Sequence, residues 1–124
     1  AYGQYLTTIA VCEACHTPMN GGQLDPERAF AGGHEYPMPG GVVRAANITP
    51  HAVTGIGGWT RAHFIERFQS MTGARKSVPP GAFNTVMPWT QYAGMTRQDL
   101  GAIFAYLQTV RPVRNAVVHF TATD

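Results

Sequence analysis

The sequence predicts an all-α chain, three to five helices joined by long loops that wrap around a buried group. Three observations carry this. Two stretches place apolar residues at helical spacing behind N-cap signals, no run reads as two strands joined by a hairpin turn, and residues 17 to 58 hold no sustained period. With 124 residues, 44% hydrophobic and 13% charged, one domain spanning 1–124 is expected.

The first element is "GQYLTTIAV" (3–11), where Leu6, Ile9 and Ala10 share one side of a helix that would deliver Cys12 at its end. From 17 to 58, glycines and prolines punctuate the chain repeatedly. A loop that long normally argues against a compact domain. It is acceptable where it wraps a prosthetic group that gives apolar loop residues a surface to pack on. The second helix lies in "TRAHFIERFQSM" (60–71), with Phe64, Ile65, Phe68 and Met71 at helical spacing, Thr60 as N-cap and Gly73 as stop. After the loop "VPPGAFNTVMPW", Thr96 to Asp99 reads as a capping box with Asp in the place of Glu. It opens a helix carrying Leu100, Ile103, Phe104, Leu107 and Val110, closed by Pro112, which lacks an amide donor. The tail "VRNAVVHFTATD" carries no clear signal.

The chain opens at Ala1-Tyr2 without a basic n-region or an apolar h-region, as expected of a mature chain or a domain cut from a longer one. No run approaches the roughly 20 apolar residues of a membrane-spanning helix. The net charge of +2 is scattered, so the dense basic run that tracks phosphates is missing and nucleic acid is not an expected partner. Arg75 with Lys76, and Arg111 with Arg114, read as ordinary solvated surface.

Both cysteines fall in "VCEACHTP" (11–18), followed directly by a histidine. Thiol exchange suits Cys-x-x-Cys but normally accompanies a βαβ pattern, which this chain lacks. Zinc would need a fourth ligand such as His34, and adjacent ligands at 15 and 16 strain a tetrahedron. Covalent haem accounts for every residue: Cys12 and Cys15 add across two vinyl groups, and the His16 imidazole lies under the iron. A low-spin electron-transfer haem needs a second strong ligand. Met19, Met71 and Met95 read as packing material. Met87 and Met38 stand in Pro/Gly loops, and Met87 is preferred because Pro88 restricts its backbone to an extended form. His34, His51, His63 and His119 read as ordinary loop, helix-surface or tail residues.

"CEACHTP" (12–18), "NITPHAVTGIGGWT" (47–60), "MPW" (87–89) and "MTRQDLGAIFAYLQTVRPV" (95–113), with "GQYL" (3–6), span nearly the whole chain. In these motifs and their order the chain resembles a class I cytochrome c domain, most closely the cytochrome c subunits of bacterial membrane-bound alcohol and aldehyde dehydrogenases. The resemblance implies a class I cytochrome c fold with one haem c, thioether bonds at Cys12 and Cys15, His16 as proximal ligand and Met87 as distal ligand. It implies that the first and last helices cross at Gly3 beneath Tyr106. It also implies that Asn47, Ile48 and Trp59 line the haem pocket, Trp59 near a propionate. His51, where the family commonly carries an acidic residue, and Met38 in "YPMPGG" depart from its pattern.

The function so implied is electron transfer rather than catalysis, between a dehydrogenase donor and a cytochrome or oxidase acceptor of the respiratory chain. The implied location is the periplasm or the periplasmic face of the inner membrane. The alternative is a haem enzyme or gas-binding protein with a displaceable distal ligand, of a peroxidase-like kind.

Overall fold

The computed structural model describes residues 1–70 and 87–122; Met71, Gly73, Arg75 and Lys76, given roles above, lie outside them. Helix α1 (Tyr2–Ile9) buries Gly3, Leu6 and Thr7, with Ala10 buried just beyond its end. The packed face follows i, i+3, i+4 and i+7 from Gly3, so Ile9, expected on it, is turned to solvent at 58% exposure. Nor does α1 deliver Cys12. Val11 adopts a left-handed conformation at φ 56°, and a separate short helix, α2 (Cys12–His16), starts after it.

Two small antiparallel sheets overturn the all-α expectation. Strands β1 (Met19–Asn20) and β2 (Gln23–Leu24) pair around Gly21-Gly22, both at positive φ, as a tight two-residue hairpin turn requires. Strands β3 (Glu35–Met38) and β4 (Gly41–Arg44) pair around Pro39-Gly40, where Pro fixes its own φ and Gly40 takes +81°. After the helices, β5 (Phe120–Ala122) joins the free side of β4, giving the order β3-β4-β5. Pro37 is tolerated because β3 lies at the sheet edge. The described chain is therefore a mixed helix-and-strand fold. Its strands escaped the sequence reading because none exceeds four residues, too short for an alternating pattern to emerge.

Helices α3 (Arg61–Gln69), α4 (Trp89–Tyr92) and α5 (Arg97–Leu107) complete the structure. The expected caps are formed: the Thr60 hydroxyl accepts the His63 N–H and the Thr96 hydroxyl accepts the Asp99 N–H, each at 3.0 Å. The Asp99 carboxylate accepts the Tyr2 hydroxyl at 2.6 Å, tying the start of α5 to the start of α1. Helix α5 ends at Leu107, about a turn short of Val110, which still packs against the core.

The close crossing of α1 and α5 at Gly3 is present. A Cβ there would collide with the Ala102 carbonyl oxygen and stand 2.9 Å from the Tyr106 Cβ. Helix α3 packs on the same α5, and Leu6, Phe30, Ile56, Phe64, Ile103 and Leu107 form the core between helices and loops. No helix of the described residues is long and apolar enough to cross a membrane.

Candidate functional site

The one-turn helix α2 puts Cys12, Cys15 and His16 at i, i+3 and i+4, hence on one face. Both thiols are half-buried and His16 is buried, while Glu13 and Ala14 on the other side are exposed. The His16 imidazole is fixed by its neighbours. Its Nδ1 lies 2.7 Å from the Ala46 carbonyl oxygen, and because a carbonyl can only accept, Nδ1 carries the proton and Nε2 keeps its lone pair for a ligand. The His16 carbonyl in turn accepts the Gly32 N–H at 2.6 Å. Gly32 cannot be replaced easily: its φ is +80°, and a Cβ would stand 2.5 Å from the Ala46 carbonyl carbon and 2.6 Å from the Ala45 oxygen.

This face opens on a cavity of about 430 Å³, within the usual range for a small-molecule or cofactor site. Cys12, Cys15, His16, Asn47, Ile48, Trp59 and Met87, the residues singled out in the sequence, all line it. Met38 does not; it sits half-buried at the end of β3, opposite Gly41. Met95 lines the cavity and packs on the core, whereas Met19, read as packing, is 48% exposed. The walls are mostly apolar. Leu100 and Leu107, each only 1% exposed, face it, although side chains this deep normally pack against other side chains on every side. A paired thiol face, an imidazole with a fixed free nitrogen, a thioether and an apolar wall together fit a flat, largely apolar prosthetic group with a metal at its centre.

The loop residues have distinct tasks. Asn47, 4% exposed, donates its amide to the carbonyls of Val113 (2.8 Å) and Asn115 (3.2 Å), and its oxygen accepts from the Thr49 N–H and hydroxyl. It stitches the 47–59 loop to the tail. Ile48 is anchored by its N–H to the Phe30 carbonyl at 2.9 Å and packs on the core. The Trp59 indole stacks on His63 at 4.3 Å. His51 is turned into its own loop, where its Nδ1 accepts the Thr54 N–H at 3.1 Å.

Several lining residues were missed in the sequence. Tyr36 on β3, Arg67 on α3, Tyr92 on α4, and Arg44 and His119 on the β4–β5 side all reach the cavity. His119 was read as a tail residue; its carbonyl accepts the Arg44 N–H at 2.8 Å just before β5, a contact invisible locally, and this brings it here. Burial pushes the Tyr36 phenol up to about 12, helped by its hydrogen bond to Cys15. Tyr92 is raised by burial, then by Cys12 and Cys15, so two phenols approach the thiols from different elements.

Burial pushes the Cys12 thiol up to about 11, keeping it protonated at neutral pH. That is the reverse of the depressed thiol that exchange chemistry needs. Burial likewise lowers His16 from the usual histidine value, outweighing the opposing pull of the Ala46 carbonyl, and holds it neutral as a ligand must be. Among the described residues no three Cys, His, Asp or Glu side chains converge on one point, which leaves the zinc alternative without a ligand set there.

No family model matches the chain. It is similar to the fructose dehydrogenase cytochrome subunit of Gluconobacter japonicus, 33% identical over 112 residues, covering 90% of this chain and 21% of that protein. The cytochrome c subunit of the quinone alcohol dehydrogenase of Gluconobacter oxydans is 31% identical over 112 residues, with 90% and 21% covered. The gluconate 2-dehydrogenase cytochrome c subunit of Pantoea cypripedii is 33% identical over 115 residues, with 92% and 24% covered. The chain thus spans between a fifth and a quarter of the length of these relatives. Matched over nine tenths of its own length, it is a homologue of the cytochrome c subunits of bacterial dehydrogenases.

Proposed function

We propose that this chain is a single monohaem domain that carries electrons, one at a time, from a periplasmic or membrane-bound dehydrogenase to a respiratory acceptor. The relatives, cytochrome c subunits of dehydrogenases, support electron transfer by a cytochrome. The observation that carries the finer reading is that Cys12, Cys15, His16 and Met87 line one apolar cavity. When bound, haem c supplies a one-electron ferric/ferrous couple.

The rest falls to the chain's own residues. Cys12 and Cys15, the chain's two cysteines, suffice for the two thioether bonds of one haem. His16 offers Nε2 while the Ala46 carbonyl, by accepting from Nδ1, orients the ring and raises its basicity. Met87 offers a soft thioether, which favours ferrous iron and raises the reduction potential. Ile48, Leu100 and Leu107 exclude water and act in the same direction. The Trp59 indole N–H suits a propionate, since it can only donate. No substrate bond is made or broken by these groups, so the domain is a carrier within a larger oxidoreductase assembly and works at the periplasm or its membrane face.

The test is a visible spectrum of the purified, reduced protein with a denaturing gel stained for covalent haem, repeated for Met87→Ala. A stained band, and a weak red-edge sulfur-to-iron absorption that Met87→Ala abolishes, are expected. Titratable free thiols at Cys12 and Cys15 would overturn the haem reading. A spectrum that Met87→Ala leaves unchanged would overturn the ligation and favour an open-site haem enzyme.

A further inference from the structure

Met87 leads directly into α4, a helix of four residues, too short to hold itself in place. What holds it comes from elsewhere. The Arg67 guanidinium lies 4.2 Å from the centre of the Trp89 ring, and the Phe68 ring stands 5.0 Å from that indole at 49°. Trp89 in turn donates its backbone N–H to the Met87 carbonyl at 2.8 Å, so the indole and the thioether residue belong to one turn. Among the described residues the ion pair formed is Arg44 with Glu35, and Arg67 pairs with no carboxylate there. Arg67 also lines the cavity, where low polarity strengthens a cation's attraction to an aromatic face.

From this geometry we infer that Arg67 is a positioning residue for Met87, acting through Trp89. By gripping the indole from α3 it keeps the 87–89 turn, and with it the sulfur, at the cavity wall. This rests on the reading of Met87 as distal ligand. Plain electrostatics makes a different prediction for the same residue, in which Arg67 matters only as a positive charge near the iron.

The two are separated by imidazole binding to the ferric holoprotein, followed at the sulfur-to-iron band, with the reduction potential measured alongside. Arg67→Ala should tighten apparent imidazole binding on the order of fivefold, as expected for loss of one partly desolvated cation–π contact. Arg67→Lys, which keeps the charge on a compact ammonium, should recover most of it. Trp89→Leu should reproduce the effect, and adding Arg67→Ala to it should add almost nothing, because the partner is already gone. If Arg67→Ala shifts only the potential or the unfolding midpoint and leaves imidazole affinity unchanged, the inference is overturned. Additive effects of the two substitutions would overturn it equally. Should Arg67→Ala fail to accumulate, Arg67→Gln, which keeps much of the side chain's length without its charge, takes its place in the same comparison with Trp89→Leu. Failure of Met87→Ala to alter the band is a separate outcome, and it would remove the ligand reading itself.

Discussion

The two sides of the cavity are built by different means. On one side, Cys12, Cys15 and His16 share a single helical turn, so the spacing of five residues is enough to align them. On the other, Met87 depends on contacts drawn from far along the chain: Arg67 and Phe68 on α3 clasp Trp89, and the Tyr92 hydroxyl donates to the Ala10 carbonyl at 2.5 Å. Local geometry survives most distant insults. An assembled segment moves when any of its supports moves, so perturbations of the core should reach Met87 before they reach the cysteine turn.

The largest expected effect that separates the sides is Phe68→Ala. It removes the ring that packs against Trp89, Tyr92 and Phe64, and should cost about 3 kcal/mol. Calorimetry of the holoprotein measures the cost. At temperatures below global unfolding the sulfur-to-iron band should fade while the covalent haem stain stays intact; simultaneous loss of both would mean that the sides are not independent.

Gly3→Leu attacks the other side, because α1 carries the chain into the cysteine turn. The added side chain meets the Ala102 carbonyl and Tyr106, and forcing α1 off α5 should cost about 2 kcal/mol. A denaturant midpoint that does not fall would show that α1 can shift away without loss.

The smallest effect concerns Cys12 in chain that has not acquired the haem. The folded thiol sits near 11, above its unfolded value of about 8.5, so its contribution to stability is full below the unfolded value and is lost as pH rises toward 11. Alkylation by iodoacetamide, which follows the thiolate, should therefore have its midpoint near 11. A midpoint near the ordinary thiol value would place Cys12 in water.

What could be read from the sequence follows the same division. The cysteine turn, the Thr60 and Thr96 caps and the apolar faces of α3 and α5 are local patterns, and each is found where spacing put it. Gly3 could be read from resemblance alone, since nothing in its neighbours announces Ala102. The sheets could not be read, because β4 meets β5 only after nearly eighty residues and the hairpin strands are too short for a period. Asn47 was placed at the pocket, yet its bonds run to Val113 and Asn115, partners that no local pattern names. Arg67 carries no sign of its role in its own neighbourhood for the same reason: Trp89 lies on another element.

The left-handed conformation of Val11 has a consequence for rotational phase. At 100° per residue, an α1 continued straight through position 11 would carry Cys12, Cys15 and His16 to roughly the opposite side from Leu6 and Ala10, toward solvent. One reversed residue resets that phase and aims the three side chains inward. Left-handed geometry is costly for a β-branched side chain, so the surroundings must hold it there. The handedness of a single peptide unit thus decides whether the motif faces a cavity or the bulk.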